Sequence, residues 1–535
     1  MFKEIWRKFA ISITGGAIII GSASVISRFV GLMRDNLFAK YFGASATLDA
    51  YNAAFKVPDL IFNILVLGAL SASFIPVYLE VMHNKNKEEA NRVANSVLNF
   101  LLIGLTALVI VAYFLSPVIS EKILMATRSV EQQQLTASLM RIMLVSIIFF
   151  GISNVFSGIL NSYRRFMAYS LAPICYNIGI IFGIVYLSRI YGNIGLAYGV
   201  VIGAACHFLV QLPAVWRVGF RYAPIFNFSL AGTKQILKLM PSRSLALGIV
   251  QINALIIAAL ALRLEEGSLA IWTWADNLQH FPINVFGVSL AISAFPVFSS
   301  ALACHDMKQF KQYFSESFRK VLFFIIPISI ITLLLRAQIV RLILGSFGGG
   351  KFDWDATILT AQTLGFFSIS MFAQACIPML ARSFFAQKNT KTPVIISLIS
   401  MIINAALAWW LSQFMGVYGL ALAFSISSLI NMLMLLVCLR VQCGDLDDQR
   451  IINSVWKIIL ASLVMGLVIH GVKYAVAPLV DMHTFVGIFL QTVLSMAAGA
   501  SVYLFIAYYF KFSEVEIVRE FMGKAKKLFT NGKQT

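Results

Sequence analysis

The chain has 535 residues, 59% hydrophobic and only 12% charged, with a mean hydropathy of +0.83. No water-soluble domain has this balance, and apolar runs long enough to span a bilayer recur to the end. The net charge of +19 therefore points to a membrane topology signal and not to nucleic acid.

Hydropathy predicts an all-α polytopic membrane protein of about fourteen transmembrane helices. They fall at roughly 11–39, 46–80, 93–115, 133–160, 169–189, 194–216, 235–261, 268–303, 317–335, 356–384, 391–412, 416–439, 453–474 and 484–510. The start of the chain has the look of a signal peptide, with a basic opening and the small residues Gly21-Ser22-Ala23-Ser24. The apolar run continues past that point, so a retained first span is expected. This span carries Ser27, Arg28, Arg34 and Asp35. The second carries Asp49, Asn52, Lys56, Asp59 and Asn63, whose spacing draws one polar stripe along a helix. A charge facing lipid is costly, whereas one facing a wet cavity is tolerated and usually functional. Two adjacent spans with such faces are the layout of a transporter.

The chain then repeats itself. Ile75-Pro76-Val77-Tyr78 recurs as Phe295-Pro296-Val297-Phe298, Leu160 as Leu380, and Ala172-Pro173 as Thr392-Pro393, all 220 residues apart. Gly195-Leu196-Ala197 recurs as Gly419-Leu420-Ala421 after a slip of four. Six spans per copy predict two parallel six-helix lobes, residues 1–230 and 231–445, with the binding site between them. Spans thirteen and fourteen, with a basic tail, form an addition at 446–535. Span eight, the counterpart of the charged second span, carries Thr273, Asp276, His280 and Asn284 in one stripe beside Asn277 and Gln279. Pro282 lies mid-span there, as Pro58 does in span two, which allows bending around a cavity.

With the N-terminus placed in the cytoplasm, 28 of the 42 Lys and Arg fall on the inner side, 9 in outer loops and 5 within or at the ends of spans. The positive-inside rule then puts both termini in the cytoplasm. Several other patterns lead nowhere. The run from Gly345 to Lys351 has P-loop spacing, but Phe352 replaces the Mg²⁺-binding Ser or Thr, so nucleotide binding is not expected. The six cysteines lack zinc-ligand spacing. His207 and His470 read as satisfied internal histidines, and Trp272 and Trp274 as interfacial anchors.

Ser27-Arg28-x-x-Gly31-x-x-Arg34-Asp35, Phe42-Gly43-Ala44, Asp49-Ala50-Tyr51, Ala54-Phe55-x-x-Pro58 and Gly68-Ala69-x-Ser71-x-x-Phe74-x-Pro76 together resemble the MurJ (MviN) family. Gly158-x-Leu160-Asn161, Ala275-Asp276-x-Leu278-x-x-Phe281-Pro282 and Lys391-Thr392-Pro393 extend the resemblance over nearly the whole chain. These are the lipid II flippases of the multidrug/oligosaccharidyl-lipid/polysaccharide exporter group. The resemblance implies a central cavity lined by spans one, two, seven and eight, and alternating access that carries an undecaprenyl-diphosphate-linked saccharide outward. It implies a transporter of the bacterial cytoplasmic membrane and not an enzyme, acting in peptidoglycan synthesis. Substrate-binding candidates are Arg28, Arg34, Asp35, Asp49, Asn52, Lys56, Asp276, Asn277 and His280, with Arg243 as a possible additional cation. Familiar members carry arginine where this chain has Phe62 or Asn63 and after the span-eight aspartate, here Asn277; His280 replaces an expected glutamate.

The expected partners are lipid II or a related polyprenyl-diphosphate-linked saccharide and membrane lipids. Nucleic acid, metal and organic cofactor are not expected, a monomer is, and a coupling ion or the membrane potential is left open. A cation- or proton-coupled exporter of the same fold, with Asp35, Asp49 and Asp276 holding the ion, is the alternative.

Overall fold

The computed structural model describes residues 13–67, 74–345 and 349–516, without the side chains of 13–18, 67, 239–243, 245 and 246. The basic residues before Ile13 and after Glu516, the Gly68–Ser71 part of the family motif, residues 346–348 and the Arg243 side chain lie outside the described residues. Every regular element described is helical. The first eight helices of more than six residues are α1 (Ile13–Phe42), α2 (Ala46–Ile61), α3 (Phe74–Asn84), α4 (Lys87–Ile119), α5 (Val130–Ser162), α6 (Phe166–Phe182), α7 (Ile194–Leu209) and α8 (Ala231–Ala261). Nine follow: α9 (Ser268–Pro282), α10 (Ser289–Ala303), α11 (Met307–Leu334), α12 (Arg336–Leu344), α13 (Trp354–Ala386), α14 (Lys391–Met415), α15 (Val417–Cys443), α16 (Asp448–Val476) and α17 (Phe485–Tyr509).

Eleven helical segments of the described chain are long and apolar enough to cross a bilayer. Helix α1, α2 followed by α3, and α8 lie where the sequence places spans one, two and seven, which completes fourteen. Large apolar side chains point outward along the spans, including Phe114, Phe414 and Leu467, each more than 70% exposed. In water such faces would aggregate; against lipid they cost nothing. The chain is a multi-pass membrane protein.

Residues 1–270 with 348–353 form one compact unit, and residues 271–347 with 354–535 form another. The contact boundary lies beyond the repeat boundary at 230 because α8 packs on α2, α3 and the π-helical turn Phe62–Leu67. Within each unit the packing order is the same. Helix α4 lies on α5, α5 on α7 and α6 on α7; likewise α11 lies on α13, α13 on α15 and α14 on α15.

The caps show where the repeat keeps register. Asn86 and Asp306, 220 apart, each accept a bond at 2.8 Å from the backbone N–H three residues on and open α4 and α11. After these helices the offset becomes 224. Helices α5 and α13 are both 33 residues long, and Gly192 and Gly416 share φ near +60°. So Leu160 is not the equivalent of Leu380, nor Pro173 of Pro393; Pro173 lies in the middle of α6, Pro393 in the first turn of α14. The slip of four, about one helical turn, preserves the face, which is why the false match looked regular.

Prolines mark the bends. Pro58 and Pro282 each precede a π-helical turn, Phe62–Leu67 and Ile283–Val288, where the freed backbone bonds are re-formed at wider spacing. Helices α6 and α7 cross almost backbone to backbone. A Cβ on Gly179 would stand 2.3 Å from the Gly203 Cα, and one on Gly183 2.6 Å from the Gly199 Cα. Between α7 and α8 the extended segment 221–227 lies along α4, whose buried Asn95, Ser96 and Asn99 donate to its carbonyls at 3.0–3.1 Å. Helices α16 and α17 pack on α11, where the buried Tyr503 hydroxyl donates to the Phe323 carbonyl at 2.8 Å. Trp272 and Trp274 are buried and are not interfacial anchors; Trp272 packs edge-on against Phe367, with ring centroids 4.8 Å apart. His470 is exposed against Tyr474, contrary to the internal position expected, because it faces outward from α16.

Candidate functional site

The charges of α1 divide into one bound and one open. Arg34 donates from Nε and Nη2 to Asp35 at 3.1 and 2.8 Å, and from Nη1 to the Asn177 side chain on α6 at 3.0 Å. Asn177 in turn donates to the Pro173 carbonyl at 3.0 Å. Asp35 is buried, so this is a neutralised ion pair stitching α1 to α6. Arg28, two turns earlier, is exposed and forms no ion pair among the described residues. It lines a cavity of about 250 Å³ with Ser24, Ser27, Tyr169 and Ser170. A guanidinium without a carboxylate, beside hydroxyl groups, is equipped to receive an anion.

The stripe on α2 also divides. Asp49 is 1% exposed. One of its oxygens accepts from the Gly267 N–H at 2.8 Å, the other from the Ala270 N–H at 3.0 Å, and Arg128 stands 3.6 Å away. These N–H groups begin α9 and lack partners within the helix, so a carboxylate brought from α2 satisfies them and meets the positive end of the helix dipole. Arg128 also donates to the carbonyls of Leu262 and Leu264, both at 2.8 Å, in the turn after α8. Gly267 holds φ +87°, and a Cβ there would meet the Ala44 carbonyl carbon at 2.5 Å, so only glycine fits this clasp. The contacts of Asp49 are thus architectural. Asn52 and Lys56 are half-buried, and Lys56 forms no ion pair among the described residues.

In the second unit, Thr273, Asp276, Asn277, His280 and Asn284 are all half-buried and share the face the spacing predicts. His280 Nδ1 is 3.2 Å from an Asp276 carboxylate oxygen and 2.9 Å from the Asp276 carbonyl oxygen. Gln279, fully buried, donates to the Asp276 carboxylate and accepts from Gln374 on α13, both at 2.9 Å. Gln374 donates onward to Ser370, and Ser370 to Ser425 on α15, each at 2.9 Å. The half-buried dyad is therefore wired into a helix interface. Among the described residues no three His, Cys, Asp or Glu gather as metal ligands do.

Arg128 and Asn177 are the residues that sequence reasoning missed. Arg128 was visible only as one of nine outer cations, although Glu265 and Glu266 lie in the loop it reaches. Asn177 was a polar residue in an apolar span, one turn after Pro173, and that is itself a signal.

A family profile described as "Lipid II flippase MurJ" matches residues 38–510. A probable lipid II flippase MurJ of Buchnera aphidicola (subsp. Acyrthosiphon pisum) is 29% identical over 492 residues, which cover 91% of this chain and 95% of that protein. A probable lipid II flippase MurJ of Thermotoga maritima is 31% identical, covering 83% of this chain and 87% of that one. Among solved structures, "Lipid II flippase MurJ, inward closed conformation" superposes with a TM-score of 0.76 at 29% identity, over 92% of this chain and 98% of the other. An inward-facing multidrug resistance MATE transporter shares the fold alone, with a TM-score of 0.67 at 16% identity, over 81% of this chain and 99% of the other.

Proposed function

We propose, from the fact that this chain belongs to the lipid II flippase family MurJ, that it carries lipid II across the bacterial cytoplasmic membrane. A diphosphate-saccharide headgroup cannot enter hydrocarbon without heavy desolvation, so it crosses inside the protein while the prenyl tail stays in lipid. The observation that favours an anionic headgroup is Arg28, a guanidinium in a membrane span that no carboxylate among the described residues neutralises. Arg28 and Lys56 are the first contacts for the diphosphate, and Arg34 joins by exchanging part of its bond to Asp35. Asp276, Asn277 and His280 face the sugar and peptide from the second repeat, and Asn52 completes the polar lining. Asp49 holds the start of α9 in place.

The alternating-access cycle needs an energy source, and the membrane potential can supply it. Moving one negative charge outward, down an inside-negative potential of 100 mV, gains about 2.3 kcal/mol. The charge asymmetry of 28 inner to 9 outer Lys and Arg favours cytoplasmic termini. A single copy carries both repeats, so a monomer is sufficient.

The decisive experiment is depletion of the protein followed by a leaflet-resolved assay of lipid II. Lipid II is expected to build up in the inner leaflet and to reach the outer one again on re-expression. Unchanged lipid II export in depleted cells would reject the assignment.

A further inference from the structure

Within the first unit lies a second cavity, also about 250 Å³, lined by residues of α2, the turn after it, α5, α6 and α7. Its walls are aromatic. Phe62 stands 5.5 Å from Phe150 between ring centroids, and Phe150 stands 5.0 Å from Tyr176. Phe55 and the two prolines Pro58 and Pro173 complete the apolar surface. Among the described residues, the carboxylate of Asp59, which lines this cavity, accepts no hydrogen bond and forms no ion pair.

Most of the neighbouring groups have partners of their own. Lys56, one turn earlier, stays beyond ion-pair distance, although its charge still acts on Asp59. Arg34 is held by Asp35 and Asn177. His207 turns Nδ1 to the Ser153 hydroxyl at 2.6 Å, and Ser146 donates to the Met143 carbonyl at 2.6 Å. Asp59 is itself exposed, and an exposed carboxylate beside aromatic rings on a membrane-spanning helix attracts a positive charge. A metal ion would ask for about six oxygens, and the cavity offers the carboxylate with the hydroxyls of Ser146 and Tyr176. Aromatic faces attract organic cations instead, and a carboxylate among them completes such a site.

We propose that this pocket binds a compact organic ammonium ion, with Asp59 as counter-ion and Phe62, Phe150 and Tyr176 as its cage. Its volume is below that of pockets for drug-sized ligands, which limits the ligand to one ring or short alkyl arms. The sign of the ligand separates this site from the one that receives the diphosphate.

The test uses the purified full-length protein, free of lipid II, titrated calorimetrically with benzyltrimethylammonium and with its uncharged carbon isostere neopentylbenzene. The cation should bind saturably and the isostere about tenfold or more weakly. Asp59→Asn should weaken the cation about tenfold, and Phe62→Leu by a smaller factor, with melting temperatures near that of the parent. Arg28→Ala should leave ammonium binding intact while it weakens lipid II binding, so the two sites fail independently. Equal binding of the isostere, undiminished binding by Asp59→Asn, or no cation binding at millimolar concentration would each overturn the proposal.

Discussion

At the scale of single residues, two arginines six positions apart on one helix have different electrostatic states. Arg34 already has an anion at 2.8 Å, so a diphosphate must compete with Asp35. Among the described residues Arg28 has no such rival. Arg28→Ala should therefore lower lipid II affinity more than Arg34→Ala, by roughly 1.5–3 kcal/mol for a charge-assisted contact, or about 10–100-fold. Lysine at 28 should rescue only in part, since it lacks the bidentate fork. Binding measured at two salt concentrations checks both statements, and equal losses for the two alanine variants would remove the distinction. Asp49 invites a different measurement. Asp49→Ala strands two helix-start N–H groups and Arg128, which should cost about 1–3 kcal/mol of stability, with Asn milder than Ala. The thermal midpoint of the solubilised protein reads this directly; an unchanged midpoint would free Asp49 for a substrate role.

At the scale of elements, helix ends and crossings carry the detail that hydropathy does not. The third span is predicted at 93–115, yet α4 runs Lys87–Ile119, because Asn86 caps it well outside the apolar core. The same holds for α11, which begins at Met307 behind the cap Asp306. The crossing of α6 and α7 depends on the absence of side chains at four glycines. Gly199→Val should force the pair apart at a cost of about 1–3 kcal/mol, whereas Gly104→Ala, with open space around it, should be tolerated. Thermal unfolding of both variants compares them; equal midpoints would mean that the close crossing is not tight.

At the scale of the whole molecule, topology is the property most exposed to test. Reporter fusions within Lys85–Arg92 and after Lys533 should read cytoplasm, and a fusion near Gly349 the outside. A cytoplasmic signal at Gly349 would refute the fourteen-span order. The repeat contributes here as well. Each copy supplies a proline-bent span with a polar stripe, Asp49 to Asn63 in the first and Thr273 to Asn284 in the second. Such duplication gives each copy a polar face of its own, as in transporters built from repeats.

Span number, the stripes on spans two and eight, the repeat and the family follow from the sequence by itself. Hydropathy, helical period and motif spacing are local quantities, readable within a window of a few turns. Which charges are open was decided only by tertiary structure. Arg34 is occupied by Asn177, 143 residues away, and Asp49 by backbone N–H groups 218 and 221 residues away. The burial of Trp272 depends on the same long-range contacts, since its edge-on partners Phe367 and Phe424 come from α13 and α15. A side chain's neighbours depend on how helices are brought together, and no window along the chain contains them.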